Sequence, residues 1–198
     1  MTILNDKQII ELASQGMITP YYEESVRKVG DTKILSYGVS SFGYDVTLRD
    51  EVQIFTNVNG GVLDPKRPNP KNMLKGEIYT DEDGGRYVIL PPNSYLLGAT
   101  VEEFDVPRDV MIVCLGKSTY ARMAVLCNTT PIEPGFRGNV VIELANGSSL
   151  PVRVYVGEGI AQFLFLRGEP CGVSYADRSG KYMNQGLNGS DPITHSRV

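Results

Sequence analysis

From Lys33 onward the chain is a succession of short β-type runs with no helical pattern between them. The runs are Lys33–Val39, Tyr44–Leu48, Glu51–Thr56, Arg86–Leu90, Ser94–Ala99, Val110–Leu115, Ala124–Asn128, Asn139–Leu144, Arg153–Val156 and Ile160–Leu166. They are rich in Val, Ile, Tyr and Phe and are separated by Gly, Pro, Asn or Asp. Parallel strands need long crossovers, usually helical, so strands without alternating helices predict an all-β sandwich or barrel. One short helix is expected ahead of them. Asn5-Asp6-Lys7-Gln8 has the form of a capping box, Ile9, Ile10, Leu12 and Ala13 give the helix an apolar side, and Gly16 is placed to stop it. Neither a repeat nor a linker is visible, and 198 residues suffice for one domain with a sizeable core.

Two segments depart from the pattern. Asn57 to Gly85 is rich in proline, glycine and charge, and is expected to be a surface excursion with little structure of its own. The polar stretch from Asp177 to Val198 has no core periodicity, and reads either as a frayed terminus or as a lid over a ligand.

Composition narrows the chemistry. A net charge of −4 gives no support to a nucleic-acid surface, so binding an anionic ligand would need a local basic pocket. Cys114, Cys127 and Cys171 are odd in number and widely spaced, unlike a disulfide framework, and Cys114 sits in an apolar run as a small core residue. The first residues carry no basic region or long apolar segment, and no run approaches a membrane span. A reducing, cytoplasmic setting is expected. The one histidine, His195, lies in the polar tail and no Cys-x-x-Cys is present, which disfavours both a zinc-activated water and a Ser-His-Asp triad. Gly116-Lys117-Ser118 is not the end of a phosphate-binding loop, because Met111 stands where that loop needs its first glycine.

The densest chemistry lies between Gly116 and Asn146. Lys117, Ser118 and Thr119 form a cationic and hydroxyl cluster with Arg122 close behind, and Pro131, Pro134 and Gly135 then turn the chain back into Asn139–Leu144. Alternation puts Val140, Ile142 and Leu144 on one face and Val141, Glu143 and Ala145 on the other. A carboxylate in such company is paired, raised in pKa, or aimed into a wet cavity; a solvated Glu on a half-exposed strand fits the pattern equally.

The segments GKSTYAR, TPIEP, Gly138 and VIEL with Asn146 resemble the dCTP deaminases of the dUTPase-like superfamily. Blocks at Ser36–Val46, Ile160–Phe165 and Ser174–Tyr182 resemble the same family in the same order. The resemblance implies a distorted barrel or jelly roll that hydrolyses dCTP to dUTP and ammonia without zinc. It implies Glu143 as general acid/base, with Ser118 and Arg122 near the catalytic water. Lys117, Ser118, Thr119, Tyr120, Ala121, Arg122, Glu133, Val141, Ile142, Gln162, Tyr175, Lys181 and Gln185 would contact the nucleotide, and the tail from Asp177 would close over it. The implied partners are dCTP and dUTP with Mg²⁺ carried by the triphosphate, dTTP as an inhibitor, and two further copies in a homotrimer with shared sites. A dUTP pyrophosphatase, alone or combined with deamination, shares the fold and much of the pocket, and a non-catalytic jelly-roll interaction module is a third reading. The chain differs from the family pattern at Met123-Ala124, where the pair usually ends in glycine.

Overall fold

A computed structural model describes residues 1–58 and 60–184. The capping box forms as expected. The Asn5 side chain accepts from the Gln8 N–H at 3.1 Å and the Gln8 side chain accepts from the Asn5 N–H at 3.1 Å. They open helix α1 (Asp6–Ser14), which buries Ile9, Leu12 and Ala13. Gly16, at φ +101°, ends it in a conformation that favours glycine.

The rest is antiparallel sheet. In chain order the strands are β1 (Thr2–Ile3), β2 (Ile18–Thr19), β3 (Val26–Val29), β4 (Thr32–Ser40), β5 (Gly43–Phe55), β6 (Met73–Lys75), β7 (Ile78–Thr80), β8 (Arg86–Leu90), β9 (Tyr95–Asp105), β10 (Val110–Gly116), β11 (Val125–Cys127), β12 (Arg137–Asn146), β13 (Val152–Tyr155) and β14 (Gly159–Arg167). The main sheet has eleven strands along the path β1-β14-β5-β9-β12-β11; β10 also pairs with β14, β2 with β9, β4 and β6 with β5, and β3 with β4. A second sheet orders β13-β8-β7. Register shifts between Leu48 and Val52, Asn139 and Val141, and Gly159 and Ala161 mark bulges that bend the large sheet into a curled half-barrel. Inside the curl Tyr44, Leu48, Leu96, Ile112, Ile142, Leu144, Phe163 and Phe165 are fully buried, each contributing roughly 1.5–3 kcal/mol by leaving water.

Several boundaries differ from the sequence reading. The runs Tyr44–Leu48 and Glu51–Thr56 are one strand, β5; the polar Arg49-Asp50 that separated them is absorbed in the bulge, with Asp50 2.9 Å from Arg86. Ser94–Ala99 runs on to Asp105, because two acidic residues beyond it broke the apolar pattern although Glu102 points into the core. The excursion before Arg86 is only partly unstructured. After a single helical turn at Pro70–Asn72, β6 pairs with β5 and β7 pairs with β8. Its end is tied down where Asp81 accepts from the Gly85 N–H at 2.7 Å and from the Tyr155 hydroxyl at 3.0 Å.

Candidate active site

Strand β12 alternates as its sequence requires: Val140, Ile142 and Leu144 are buried, and Val141, Glu143 and Ala145 are half-buried on the other face. That face forms one wall of a cavity of about 370 Å³. The opposite wall is the loop between β11 and β12, which contributes Thr129, Thr130, Pro131, Ile132, Glu133 and Phe136, and Tyr175 and Tyr182 close the end. Its volume lies in the range of small-molecule sites.

Backbone pairing fixes that loop. Ile132 exchanges both backbone hydrogen bonds with Ile112 of β10, at 2.9 and 3.0 Å. The Gly135 N–H donates to the Val106 carbonyl and the Tyr175 N–H to the Pro134 carbonyl, each at 2.8 Å. β11 covers β12 only from Leu144 to Asn146 and is followed by one bond from the Asn128 N–H to the Glu143 carbonyl at 3.0 Å. By strand alternation the Val141 backbone faces that same edge, beyond the reach of β11, while that of Ile142 faces β9.

Glu143 is the carboxyl that the β12 wall presents to the cavity. Its Oε2 is buried and has no hydrogen-bond partner among the described residues. Burial raises its pKa above the usual carboxylate range, and the Thr129 side chain against the carboxyl draws it partly back. A carboxylate with a raised pKa and a free oxygen lining a cavity can take a proton from water and return it to a bound ring. Glu133, at the rim, is exposed and lies 3.6 Å from Arg178.

The segment Lys117–Arg122 lies elsewhere on the chain surface and contributes nothing to the cavity lining. Ser118–Ala121 form a single helical turn, α2. Ser118, Thr119, Ala121 and Arg122 are exposed, and Arg122 Nη1 donates to the Ser118 carbonyl at 3.2 Å. Lys117 is largely buried and pairs with Asp45 at 2.6 Å. Tyr120 is buried, its hydroxyl accepting from the Tyr155 N–H at 2.8 Å. Gln162 is half-buried and donates to Ser40 at 3.3 Å. One chain therefore carries two groups of the site residues expected from sequence: Glu133, Val141, Glu143 and Tyr175 around the cavity, and Lys117 to Arg122 outside it.

The tail enters the site through Tyr182. The Tyr182 N–H donates to the Tyr175 hydroxyl at 2.9 Å, and the Asn184 N–H to the Arg137 carbonyl at 2.8 Å. Gly180 lies flat on the Tyr175 ring, where any Cβ would collide with it. Lys181 is exposed, its Nζ 5.2 Å from the Tyr182 ring centre, and Gln185 lies outside the described residues. Among the described residues no group of three or more His, Cys, Asp or Glu could hold a metal ion, and no helix is long and apolar enough to cross a membrane.

Sequence reasoning missed three participants. Asp45, the partner of Lys117, was signalled only by its place in the Ser36–Val46 block. Tyr182 was read within the closing tail but not as part of the cavity wall, and Cys127, whose sulfur lies 3.6 Å from the Thr129 hydroxyl, was read as an isolated cysteine. The departure at Ala124 has a structural counterpart: it takes φ +58°, the left-handed region in which glycine is at ease.

The dCTP deaminase-like family model matches residues 3–168. A dCTP deaminase of Pseudomonas fluorescens is 47% identical over 187 residues, covering 93% of this chain and 96% of that protein. A dCTP deaminase of Rickettsia bellii is 46% identical over 196 residues, covering 98% of this chain and all of that protein. Among solved structures, the crystal structure of 2'-deoxycytidine 5'-triphosphate deaminase from Agrobacterium tumefaciens shares the fold, with a TM-score of 0.56 at 16% identity over 84% of this chain and 48% of that one.

Proposed function

The chain belongs to the dCTP deaminase-like family and is a hydrolytic deaminase of dCTP, and on that premise we propose which of its residues do the work. Glu143 is the general acid/base. Its partnerless Oε2 on the cavity wall carries this reading. Attack of water on C4 of cytosine requires a base for the water proton and an acid for N3 and the departing amine, and one carboxyl can serve in turn. The water's oxygen becomes the uracil O4, the C4–N4 bond breaks, and the second proton leaves with ammonia. The Val141 backbone, facing the uncovered edge of β12, and the loop at Thr129-Thr130-Pro131 hold the base. Glu133 faces the sugar, and Tyr175, with the tail from Asp177 closing behind it, covers the nucleotide.

Ser118 and Arg122, with Lys117 and Thr119, serve the water and the triphosphate of a neighbouring subunit's cavity in a homotrimer. Two observations support this arrangement. The Lys117–Arg122 group stands apart from its own chain's cavity. It is also flanked by exposed apolar side chains, Leu115 at 45%, Met123 at 56% and Leu126 at 61%, as expected of a surface that a second copy covers. Mg²⁺ enters as part of the substrate, held by phosphate oxygens and water; Asp45 is engaged by Lys117 and not free for it. dTTP, which has no exocyclic amine at C4, would occupy the same pocket as an inhibitor. The setting is cytoplasmic.

The test is incubation of the purified protein with dCTP and Mg²⁺, resolving dUTP, dUMP and ammonia. Stoichiometric dUTP and ammonia are expected. Cleavage of dUTP to dUMP in the same reaction would move the reading to a bifunctional enzyme.

A further inference from the structure

Two of the three free cysteines, thirteen residues apart in sequence, meet beside the active site. Cys114 Sγ on β10 and Cys127 Sγ on β11 are 3.5 Å apart, and Cys127 Sγ is 3.6 Å from the Thr129 hydroxyl. Thr129 in turn lies against the Glu143 carboxyl and lines the cavity. The two cysteines also bracket the segment that contains Lys117, Ser118 and Arg122. We propose that Cys114 and Cys127 are a redox-active dithiol, and that a peroxide converts it to a disulfide which lowers deaminase activity reversibly.

The chemistry fits the two environments. Cys127 is half-buried, and hydrogen bonding from Cys114 holds its thiol down, to about 7, against the opposing effect of burial. Cys114 is buried, and its thiol is pushed up by its neighbour and by desolvation. Cys127 is therefore the thiolate that attacks. Its sulfur bonds to one peroxide oxygen, the O–O bond breaks, and hydroxide leaves, giving a sulfenic acid. Cys114 sulfur then displaces that oxygen as water, so two thiols and one hydrogen peroxide become one disulfide and two waters. Cys171, near Arg108 and remote from this pair in the fold, is left as a bystander.

The same geometry says how oxidation reaches the reaction. A disulfide needs the sulfurs about 2.05 Å apart, so they must close further. β10 is fixed along its whole length to β14, whereas β11 is a three-residue edge strand. The strain falls on β11, drawing Cys127 away from Thr129 and moving the start of the loop that walls the cavity. It also staples the base of the Lys117–Arg122 segment.

The output of the switch rests on the deaminase reading; the formation of the bond does not. The test treats the full-length protein with hydrogen peroxide and reads peptide mapping without reduction, dCTP turnover, and dCTP binding. The expected result is a Cys114–Cys127 cross-link, a turnover loss of about tenfold or more, as a displacement of about 1 Å at a site can produce, and recovery of both on adding dithiothreitol. Cys114→Ser and Cys127→Ser should each abolish the sensitivity, so either suffices if the other fails to fold, and Cys171→Ser should keep it. Oxidation confined to Cys171, or a complete Cys114–Cys127 cross-link with unchanged turnover and dCTP binding, would overturn the proposal. A reduced protein inert towards dCTP would instead count against the deaminase reading, with the cross-link and the binding change still deciding the switch.

Discussion

Glu102 and Glu143 occupy neighbouring strands of one sheet, β9 and β12, and in both burial raises the carboxyl above its ordinary range. Their surroundings differ. Glu102 is fully buried, and both its oxygens accept from Thr47: Oε2 from the N–H at 3.0 Å and Oε1 from the hydroxyl at 3.1 Å. Glu143 faces a cavity with Oε2 unpartnered. Burial alone thus marks neither residue as functional. A carboxylate whose acceptors are filled by its own fold is a structural element, with its desolvation partly offset by hydrogen bonds. One that keeps an oxygen free beside a cavity holds it for a ligand or a water.

Isosteric replacement separates the two most sharply. Glu143→Gln should lower kcat by about 10²–10⁴, the usual weight of a general acid/base, while dCTP still binds. The corresponding Glu102→Gln variant should deaminate normally and differ in stability. Its carboxyl is raised to about 7 in the folded protein, above its unfolded value, so the folded state holds the extra proton between the two. The resulting cost to stability is absent below the unfolded pKa, grows as pH rises, and is complete above about 7. The stability of Glu102→Gln relative to the parent should therefore rise by about 3 kcal/mol between pH 4 and pH 8, from about 1.4 kcal/mol per unit, on top of a pH-independent loss from the Thr47 hydrogen bond that an amide nitrogen cannot accept. Denaturant midpoints at the two pH values check this, and a loss of turnover in Glu102→Gln comparable to that of Glu143→Gln would erase the distinction.

Smaller changes refine it. Thr129→Val removes the side-chain group that draws the Glu143 pKa back down, so the acidic limb of kcat/KM should move to higher pH. Turnover at neutral pH should fall about fivefold, the weight of one hydrogen bond of about 1 kcal/mol. Ala124→Gly, which relieves a left-handed alanine at the entry to β11, should stabilise by up to about 1 kcal/mol without altering the pH profile. A shift of that profile in Ala124→Gly and not in Thr129→Val would assign the tuning of Glu143 to the backbone of β11.

Most of this contrast was legible for Glu143 and not for Glu102. Around Glu143 the alternation of Val140, Ile142 and Leu144 is unbroken, so the face of every residue on β12 could be read from a period of two. Glu102 sits in an acidic pair with Glu103, which reads as surface; its burial depends on Thr47, fifty-five positions away along the chain, and no local pattern encodes that pairing. The same limit explains the rest. Lys117 was read with its sequence neighbours Ser118 and Thr119 and not with Asp45, because that partner comes from another strand. Cys114 and Cys127 looked unrelated because only the approach of β10 to β11 brings them together. Asn146, by contrast, looked like part of a reactive motif, yet its amide donates to the carbonyls of Leu90, Pro91 and Leu150 and holds three chain segments together.

The central claim is that the carboxyl which titrates on the cavity wall is the one that moves the proton. Carbon-detected NMR of the protein labelled at its glutamate side-chain carboxyls follows each titration directly, and the Glu143→Gln and Glu102→Gln spectra assign those two signals among the raised ones, which include that of Glu158. The acidic limb of kcat/KM for dCTP should coincide with the signal that vanishes in Glu143→Gln. A limb that follows the signal lost in Glu102→Gln, or one that persists unchanged in a still-active Glu143→Gln enzyme, would contradict the assignment of Glu143 as the acid/base.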